Sequence, residues 1–461
     1  MYQRGQHIHF VGIGGIGMSG IAELLINLGH KVSGSDLKAS GTTRRLAALG
    51  ATVKIGHHPD HVQGAQAVVV SSAVSEDNLE VQAALRQHIP VIPRAEMLAE
   101  LMRLKYGVAV AGAHGKTTCT SMLAALLAAG GLDPTVVVGG KVGALGTNAW
   151  LGKGEFLVAE ADESDGSFNR LTPVLVVVTN VDREHMDHYG SEEALEDAFV
   201  EFMNKVPFYG AAVICLDDPR LAGLIPRLRK RTITYGFSTQ ADFQARDYQP
   251  QGMGGSFNLF RQGENQGQVR ISVPGRHNVL NALGALGAAR ELGVDLKTAM
   301  AACVDFKGVG RRFEQKGRTS QGALVVDDYA HHPTEIKATL EAARACWPHQ
   351  RLVVCFQPHR YSRTRDLFEE LAKAFYGADV LLVMDIYAAS EKNDPEVTAL
   401  ALAEAVNAHG HREVIYVGSA EAALERLGKV LGPEDVLFTM GAGDVSRLSE
   451  SLVVNGEGQR E

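Results

Sequence analysis

The sequence predicts an α/β fold of three domains with parallel sheets, and three observations support it. Short apolar runs rich in β-branched residues recur along the 461 residues, and segments with helical spacing separate them. Glycine-rich turns follow two of these runs, and acidic segments follow others. Because ligands bind beyond the carboxyl ends of parallel strands, this placement is typical of α/β proteins. We expect a Rossmann-like domain over residues 1–105, a central P-loop-type domain over 106–316 and a second Rossmann-like domain over 317–461.

The first domain is expected to alternate strands and helices over residues 6–100. IHFVGI is a strand-like run, and the segment MSGIAELLINLG that follows has helical spacing and ends at Gly29. Further strands are expected at KVSGSD, TVKIG and AVVVSSA, with a last strand and helix in IPVIPRAEMLAELMRLKYG. This order is a βαβ series, which predicts a parallel sheet.

The second domain is expected to begin at GVAVAGAHGKTT, where a strand-like run enters a glycine turn. Buried parallel strands are predicted in FLVAEADESDGSF, PVLVVVTNVDREHMDHYG and AAVICLDDP, each with polar residues after its apolar run. The stretch from Thr232 to Val273 is more polar and alternating, which indicates antiparallel strands. GRHNVLNALGALGAARELG is typical of a capped helix.

The third domain is expected from about Gly317. Strand-like runs occur in ALVVDDYAHHP, RLVVCFQPHRYSRT, DVLLVMDIYAAS, EVIYVG and DVLFTMGAGD. They alternate with helical segments such as RDLFEELAKAFYG. This rhythm predicts a second doubly wound unit.

Composition and charge exclude several classes of protein. The net charge of −8 argues against a nucleic-acid partner and against an anionic membrane surface. No stretch is expected to insert into a membrane, and the glycine-rich N-terminal segment lacks the basic start of a secretory signal. The five cysteines form no CxxC pair, which is typical of reduced thiols and predicts a cytoplasmic protein.

The first glycine loop, GIGGIG, follows a strand and opens a helix. Gly12, Gly14 and Gly17 match the pattern GxGxxG, and Asp36 closes the next strand where a dinucleotide site requires a carboxylate. Glycines let a backbone approach a pyrophosphate, and a helix N-terminus supplies N–H donors for it. The pattern is compatible with NAD, with another pyrophosphate, or with tight strand–helix packing alone.

The second glycine loop, GAHGKTT, predicts a site for a nucleoside triphosphate. Two residues separate Gly112 from Gly115, whereas the standard P-loop has four residues before its Gly-Lys pair. Lys116 is expected to reach phosphate oxygens, and Thr117 to place its hydroxyl on Mg²⁺. Because a lysine at a helix start opposes the helix dipole, a bound phosphate explains it better than a solvated cap does.

Acidic residues after the next strand predict Mg²⁺. The segment EADESD carries Glu160, Asp162, Glu163 and Asp165. Carboxylates beside a triphosphate repel it unless a cation lies between them; a solvated acidic turn is the simpler alternative. NVDREHMD ends the following strand and offers His185 and Asp187 to the same region, with His185 either a ligand or a hydrogen-bonding group. Two phosphate loops indicate two ligands, ATP and a nucleotide-linked substrate.

Seven motifs then occur in a familiar order: GAHGKTT, EADESDGSF, NVDREHMD, GRHNVLNA, GVGRRFE, DDYAHHPTEI and QPHRYSRT. Together they resemble the Mur ligases over nearly the whole chain. HFVGIGGIGMSGIAELL with DDYAHHPTE resembles the branch that adds L-alanine and the related murein-recycling branch. EADESD favours the alanine-adding branch.

The resemblance implies an ATP-dependent ligase of cytoplasmic peptidoglycan synthesis. Its substrates would be UDP-N-acetylmuramate and L-alanine, and its cofactors ATP and Mg²⁺, with two ions. ATP would phosphorylate the lactyl carboxylate, and the amine of L-alanine would attack the acyl phosphate. The alternative is the recycling reaction, which joins a tripeptide to the same sugar nucleotide. A monomer or homodimer is expected.

The resemblance also implies roles for individual residues. The first domain would bind the UDP substrate through Gly12, Gly14, Gly15, Gly17, Ser35, Asp36, Ser71 and Ser72. ATP would contact Gly112, Ala113, His114, Gly115, Lys116, Thr117, Thr118, His277, Asn278, Asn281, Arg311, Arg312, Asp328, Tyr329 and His331. The metal ligands would be Thr117, Glu160 and His185. The catalytic residues would be Lys116, His185, His332, His359, Arg360 and Arg363, and the third domain would bind the amino acid and close over ATP.

Simpler roles remain open for some of these residues. His331 and His332 precede a proline and can cap a helix, HRYSR can be a solvated basic turn, and Asp328 can be an N-cap. One segment departs from the family pattern, because EKNDPEV at 391–397 replaces a Gly/Pro-rich loop. It lies near the expected ligand face of the third domain, so the preference for L-alanine is less well predicted than the reaction.

Other functions explain fewer of these motifs. A dehydrogenase would use the first glycine loop for NAD but would not need Lys116 or the acidic strand ends. A nucleotide-binding switch would need the second loop and would leave the first loop and the third domain unexplained. A folylpolyglutamate-type ligase shares the central domain but does not account for the N-terminal one.

Overall fold

The computed structural model describes residues 5–71, 73–142, 147–389 and 391–454. Three sheets organise these residues, and helices separate most of their strands in sequence. This arrangement confirms the predicted α/β class with parallel sheets. In the described part of the chain, none of the helices combines the length and the apolar character that a membrane span needs.

The first sheet belongs to the N-terminal residues. Its strands are β1 (His7–Val11), β2 (Lys31–Asp36), β3 (Thr52–Ile55), β4 (Ala67–Val70) and β5 (Val91–Pro93). The helices are α1 (Ile16–Asn27), α2 (Gly41–Ala48), α3 (Leu79–Arg86) and α4 (Arg94–Met102), with a 3-10 turn at Pro59–Val62. The strands are parallel in the order β3-β2-β1-β4-β5. Val11 is in register with Ser35 and with Val70, so the turn after β1 lies where the strand order reverses, the usual ligand position.

The second sheet is larger and mixed. Its strands are β6 (Tyr106–Ala111), β7 (Thr135–Val142), β8 (Thr147–Trp150), β9 (Phe156–Glu160), β10 (Leu175–Val178), β11 (Ala211–Cys215), β12 (Thr232–Gly236), β13 (Phe243–Gln251), β14 (Gly254–Arg261) and β15 (Glu264–Ile271). The helices are α5 (Lys116–Ala129), α6 (Met186–Tyr189), α7 (Glu192–Met203), α8 (Pro219–Leu224), α9 (Arg276–Glu291) and α10 (Leu296–Ala302). The order is β15-β14-β13-β12-β11-β10-β6-β9-β7-β8, and β6 runs parallel to both of its neighbours.

The polar stretch from Thr232 to Val273 is only partly antiparallel. β12 pairs in parallel with β11 and with β13, so the antiparallel prediction is wrong for β12. β13, β14 and β15 follow one another through two-residue turns and are neighbours in the sheet. Such short turns join antiparallel strands, as the alternating pattern predicts.

The third sheet contains the C-terminal strands. They are β16 (Glu314–Arg318), β17 (Leu324–Asp328), β18 (Leu352–Phe356), β19 (Val380–Met384), β20 (Val414–Gly418) and β21 (Val436–Met440). The helices are α11 (Pro333–Cys346), α12 (Tyr361–Asp366), α13 (Phe368–Ala372), α14 (Ala399–Ala408), α15 (Ala420–Val430) and α16 (Ser446–Leu452). The order is β16-β17-β21-β18-β19-β20, and β16 is antiparallel to β17. The helix predicted in RDLFEELAKAFYG is interrupted: α12 ends at Asp366, Leu367 has φ −116° and ψ 22°, and α13 covers Phe368–Ala372.

Burial on both faces explains the apolar character of the central strands. Residues 108–111 of β6 are fully buried. Along β18, Val354 and Phe356 pack into one apolar core, whereas Val353 and Cys355 pack into another. Successive side chains of a strand point to opposite faces, so helices on both sides of the sheet require a continuous apolar run.

The chain forms two compact units by its internal contacts. The first contains residues 1–247, 257–269 and 279–306, and the second contains residues 248–256, 270–278 and 307–461. The first sheet lies in the first unit, and the third sheet lies in the second. The domain boundaries near residues 105 and 316 stay a prediction.

Candidate active site

The loop between β6 and α5 requires glycine at two positions. Gly112 has φ +128° and Gly115 has φ +81°, in the left-handed region that residues with side chains rarely adopt. A Cβ atom on Gly112 would collide with the Thr179 hydroxyl oxygen, and one on Gly115 would lie 2.6 Å from the Asn281 side-chain oxygen. Because α5 begins directly after this turn, backbone N–H groups and a helix N-terminus form a site that suits an anion.

Residues after β10 hold this loop in place. The Asn180 side-chain oxygen accepts from the His114 N–H at 2.9 Å, and its NH₂ donates to the His114 carbonyl at 3.0 Å. The Thr179 hydroxyl donates to the same carbonyl at 2.6 Å, and His114 Nε2 lies 2.9 Å from Asp182 Oδ2. Sequence reasoning missed Thr179, Asn180 and Asp182. The polar segment TNVD directly after a buried strand is the pattern that points to them.

The Lys116 ammonium is held within the loop. It donates to the Gly112 carbonyl at 2.6 Å and to the two Glu163 carboxylate oxygens at 2.9 and 2.8 Å. Burial acts to lower the pKa of Lys116, but the nearby carboxylates of Glu163 and Asp162 raise it above its ordinary value. Lys116 is therefore a fixed positive charge at the place where phosphate oxygens would meet the loop.

Glu163 also belongs to a group of three candidate metal ligands. The ligand atoms of Glu163, Glu184 and His185 all lie within 4.8 Å of one another. His185 Nε2 is 3.8 Å from Glu163 Oε1 and 3.7 Å from Glu184 Oε2. The two carboxylates are 2% and 8% exposed, and buried like charges are stabilised when a cation lies between them. The donor set therefore fits a divalent cation, and Glu163 and Glu184 are absent from the predicted ligands.

The other two predicted metal ligands lie at the same edge of the second sheet. Thr117 is the second residue of α5 and is 8% exposed. Glu160 is the last residue of β9 and is in register with Val110, one residue before the end of β6. Thr118 is also buried in the first turn of α5, whereas Ala113 and His114 are part of the loop itself.

The N-terminal glycine loop is folded by contacts with β2. The N–H groups of Gly12 and Ile13 both donate to the Ser35 carbonyl at 2.9 Å. The Gly14 N–H donates to Asp36 Oδ2 at 2.8 Å, and Gly12 has φ +77°. The observed partner of Asp36 is thus the loop, and its predicted contact with the UDP substrate stays a prediction.

Ser35 lies in a buried polar cluster around Glu80. The Ser35 hydroxyl donates to Glu80 at 2.5 Å, and ring nitrogens of His9 and His61 lie 3.2 and 2.6 Å from the same carboxylate. Burial acts to raise the pKa of Glu80, but hydrogen bonds from His9, Ser35 and His61 lower it to about 2. The observed partner of the Ser35 hydroxyl is therefore internal, and this cluster joins β1, β2 and α3.

Four further residues were predicted at the UDP site. Gly15 is exposed immediately before α1, and Gly17 lies in the first turn of that helix. Ser71 follows β4 and is half-buried, and its carbonyl accepts from the Val74 N–H at 3.0 Å. Ser72 lies outside the described residues. The glycines and Ser71 are thus near the carboxyl ends of β1 and β4, on either side of the position where the strand order reverses.

The predicted residues of α9 divide between the two compact units. In the first unit, the Asn281 carbonyl accepts from the Cys119 thiol at 3.7 Å, and the Asn281 side-chain oxygen is the atom nearest to a Cβ placed on Gly115. In the second unit, the Asn278 side chain donates to the Pro274 carbonyl at 2.6 Å. Burial lowers the pKa of His277 to about 4, so this imidazole is neutral at pH 7.

The second unit brings several predicted residues together after β17. The guanidinium groups of Arg311 and Arg312 lie 5.0 and 4.9 Å from the centre of the Tyr329 ring. Arg311 also donates to Asp327 at 3.1 Å. Asp328 accepts from the backbone N–H groups of Phe313 and Ala330, and burial raises its pKa to about 6. These bonds fix a turn and do not cap a helix.

His359 lies among aromatic rings and cations in the same unit. Its ring stacks on Tyr387 with centroids 5.5 Å apart, and the His331 ring is 5.9 Å away. Arg363 donates to His359 Nδ1 at 3.2 Å, so this nitrogen is an acceptor. Burial, and then the nearby His331 and arginine side chains, lower the pKa of His359 to about 3. Arg360 directly precedes α12 and has φ +70°, a backbone conformation that residues with side chains rarely adopt.

His332 caps α11. Its side chain accepts from the Thr334 N–H at 3.3 Å, and Glu335 completes a capping box with it. The helix-capping role that was considered for His331 and His332 therefore has geometric support at His332. Its catalytic role stays a prediction.

Comparison with known proteins identifies matches along the chain. Models of the Mur ligase family match three consecutive segments: the family's catalytic domain at residues 7–106, its middle domain at 110–289 and its glutamate ligase domain at 311–443. Together these segments include both glycine loops, the acidic cluster and the histidine–arginine group of the second unit.

Curated relatives match over the full length. A UDP-N-acetylmuramate–L-alanine ligase of Geobacter sp. (strain M21) is 55% identical over 461 residues, which are 100% of both chains. The enzyme of the same name from Geobacter sulfurreducens is 54% identical, again over 100% of each chain.

Solved structures match as well. The crystal structure of UDP-N-acetylmuramate-alanine ligase from Thermotoga maritima has a TM-score of 0.82 at 29% identity, covering 97% of this chain and 98% of that one. A murein peptide ligase from Psychrobacter arcticus has a TM-score of 0.72 at 26% identity, with the same coverage.

Proposed function

The chain belongs to the Mur ligase family, and we propose that it uses ATP to join L-alanine to the lactyl carboxylate of UDP-N-acetylmuramate. Full-length relatives at 55% identity carry the name of that activity. The structural observation that carries the proposal is the glycine loop with Lys116 fixed at its mouth, because this loop supplies both the N–H donors and the cation that ATP phosphates need.

The reaction needs ATP because a carboxylate does not react with an amine at neutral pH. A lactyl carboxylate oxygen attacks the γ-phosphorus of ATP, and ADP leaves. The alanine nitrogen then attacks the carbonyl carbon of the acyl phosphate. The intermediate releases inorganic phosphate with the former carboxylate oxygen, the nitrogen loses a proton to solvent, and an amide remains. Charge develops on phosphate and carbonyl oxygens, so cationic side chains lower the barrier.

The central residues have distinct roles in this proposal. Residues 112–118 enclose the ATP phosphates, and Lys116 stabilises charge on the transferring phosphoryl group. Mg²⁺ would be held by Thr117, Glu160 and His185, with Glu163 and Glu184 as further candidates from the structure, and two ions are expected. When bound, Mg²⁺ neutralises phosphate charge that these carboxylates would otherwise repel.

The second unit is proposed to bind the amino acid and part of ATP. Arg360 and Arg363 provide cations for the alanine carboxylate and the transferring phosphate. His359 is neutral and accepts from Arg363, so it holds that guanidinium in place without adding charge. The arginine pair on Tyr329, with His331, His277 and Asn278, is proposed to contact the nucleotide.

Location and assembly belong to the same proposal. A cytoplasmic enzyme fits the cysteines, of which four are buried and none is paired among the described residues. A monomer or homodimer is expected.

The recycling reaction is the second candidate, because the Psychrobacter arcticus murein peptide ligase shares the architecture at a TM-score of 0.72. Phosphate release distinguishes the two reactions. The enzyme is incubated with ATP, Mg²⁺ and UDP-N-acetylmuramate, and either L-alanine or the tripeptide L-Ala-γ-D-Glu-meso-diaminopimelate is added. We expect release with L-alanine. Release with the tripeptide alone would move the chain to the recycling branch, and release with neither would contradict both.

A further inference from the structure

We propose that Arg94 binds the diphosphate of the UDP substrate. Arg94 is the first residue of α4 and follows β5 directly. It was not among the residues predicted from the sequence. This role rests on the proposed function, since it assigns a ligand contact within the site for the sugar nucleotide.

Charge balance at the glycine loop requires a cation. The residues predicted for the UDP substrate are glycines, serines and Asp36, so their net formal charge is negative. The Asp36 carboxylate accepts from the Gly14 N–H at 2.8 Å and therefore occupies one donor of the loop. A diphosphate carries about two negative charges, and a helix N-terminus contributes only about half a positive charge. A nearby guanidinium supplies the missing charge with a geometry that matches phosphate oxygens.

Arg94 lies directly against the glycine loop. A Cβ atom on Gly17 would be 2.8 Å from Arg94 Nη1, 3.0 Å from Cδ and 3.3 Å from Cζ. The guanidinium therefore rests on the backbone of the first turn of α1, where a side chain at position 17 would displace it. In this structure the third glycine of GxGxxG makes room for a cation beside the helix N-terminus, which is where a phosphate group binds.

Asp162 holds the guanidinium from the other side. Arg94 Nη2 donates to Asp162 Oδ2 at 3.2 Å, and within the described ranges this is the hydrogen bond that Arg94 makes. A guanidinium has five N–H donors, so others are available for a ligand. Arg94 is 24% exposed, which leaves it accessible to that ligand.

The same contact links the two glycine loops. Asp162 belongs to the acidic segment after β9, and its charge also acts on Lys116 of the second loop. Asp162 thus holds the cation of the UDP site and belongs to the acidic segment that also pairs, through Glu163, with Lys116.

Calorimetric titration without ATP tests the role of Arg94. UDP and UDP-N-acetylmuramate are each titrated into the wild type, Arg94→Ala, Arg94→Lys and a control, Arg103→Ala. Arg103 follows the same helix, is 60% exposed and pairs with Glu100. We expect Arg94→Ala to raise both Kd values about tenfold or more, the scale of one lost charge-assisted hydrogen bond. We expect Arg94→Lys to raise the two Kd values less than Arg94→Ala does. Arg103→Ala is expected to bind both ligands as the wild type does.

Three results would contradict the role of Arg94 or the proposed function. An unchanged Kd for UDP in Arg94→Ala would overturn the proposal, even if UDP-N-acetylmuramate bound more weakly, because the contact would then be to the lactyl carboxylate. A wild type that binds neither ligand would instead contradict the proposed function. Equal losses in Arg94→Lys and Arg94→Ala would contradict a role for positive charge. Circular dichroism and thermal unfolding of each variant establish that it is folded.

Discussion

Lys116 and Glu163 form a buried ion pair, with the ammonium 2.8 Å from one carboxylate oxygen and 2.9 Å from the other. Glu163 is 2% exposed and Lys116 is 18% exposed. The pair joins the glycine loop to the acidic segment after β9. It fixes the lysine beside the loop, and Glu163 also lies 3.8 Å from His185, so the candidate phosphate and metal sites share one residue.

Replacing Lys116 tests its role in phosphoryl transfer. We expect Lys116→Ala to lower turnover at least ~10²-fold, the scale of losing one group that stabilises transition-state charge. Steady-state phosphate release with saturating substrates measures the effect. Lys429→Ala is the matched control, because Lys429 is 64% exposed and forms a surface pair with Glu425. Wild-type turnover in Lys116→Ala would remove this residue from the mechanism.

The Lys116 substitution also leaves a buried carboxylate without its partner. Breaking a buried pair costs about 3–5 kcal/mol, so Lys116→Ala is expected to lower Tm as well. Glu163→Gln in the same chain removes the unpaired charge and is expected to restore most of the Tm without restoring turnover. Recovery of both quantities together would mean that the single variant was inactive only because it was unstable.

Gly112 and Gly131 form a matched pair for the backbone of the loop. Both have positive φ, +128° and +79°. A Cβ on Gly112 would meet the Thr179 side chain and the backbone of Asn180, whereas a Cβ on Gly131 would have no neighbouring atom within 4 Å among the described residues. Both alanine variants carry strain, and Gly112→Ala adds a collision. We expect it to lose at least about 2 kcal/mol more stability than Gly131→Ala and to raise the KM for ATP. Equal losses in denaturant unfolding would show that the loop tolerates a side chain.

His359 makes stability depend on pH. Its pKa is about 3 in the folded chain and 6.5 when unperturbed, so the unfolded chain binds the proton first as pH falls. Stability is therefore fully present above about pH 6.5 and decreases toward pH 3, with a loss of about 1 kcal/mol between pH 7 and 5.5. Denaturant unfolding at pH 7 and 5.5 measures this loss of stability. We expect the loss in His359→Gln to be smaller than in the wild type by about 1 kcal/mol. The same loss in both proteins would contradict a neutral His359.

The segment that departs from the family pattern is tied to α12. Glu391 accepts from the Ser362 N–H at 3.1 Å and from its hydroxyl at 2.5 Å. Because α12 carries Arg363, we expect Glu391→Gln to raise the KM for L-alanine a few-fold and to leave the KM for ATP unchanged, as weakening one charge-assisted bond would do. Glu396→Gln, an exposed change in the same segment, is the control. A shift in the KM for ATP instead would assign the segment to the nucleotide.

Local sequence pattern was sufficient for most of the fold. Apolar runs such as the one ending at Ala111 can be buried only in the middle of a covered sheet, and glycines with positive φ mark the turns that follow. The pattern was insufficient at β12, where parallel pairing depends on which strand becomes the neighbour. It was also insufficient at Leu367, where the backbone leaves helical geometry between α12 and α13.

The site was less predictable, because its contacts join residues far apart in sequence. Asn180 and Asp182 hold His114 across the loop, and Arg94 reaches Asp162 from another strand end. Nothing local to Arg94 indicates that contact. Ser35 shows the converse, because its position suggests a ligand contact, yet its hydroxyl is engaged internally. The ligand roles predicted for individual residues stay predictions.

Oxygen transfer tests the central claim most directly. UDP-N-acetylmuramate labelled with ¹⁸O in its lactyl carboxylate is incubated with ATP, Mg²⁺ and L-alanine, and the phosphate and the sugar nucleotide are analysed by mass spectrometry. The account predicts UDP-N-acetylmuramoyl-L-alanine, together with inorganic phosphate that carries one ¹⁸O atom from the carboxylate. Absence of that product, or its formation with unlabelled phosphate, would contradict an ATP-dependent alanine ligase that acts through an acyl phosphate.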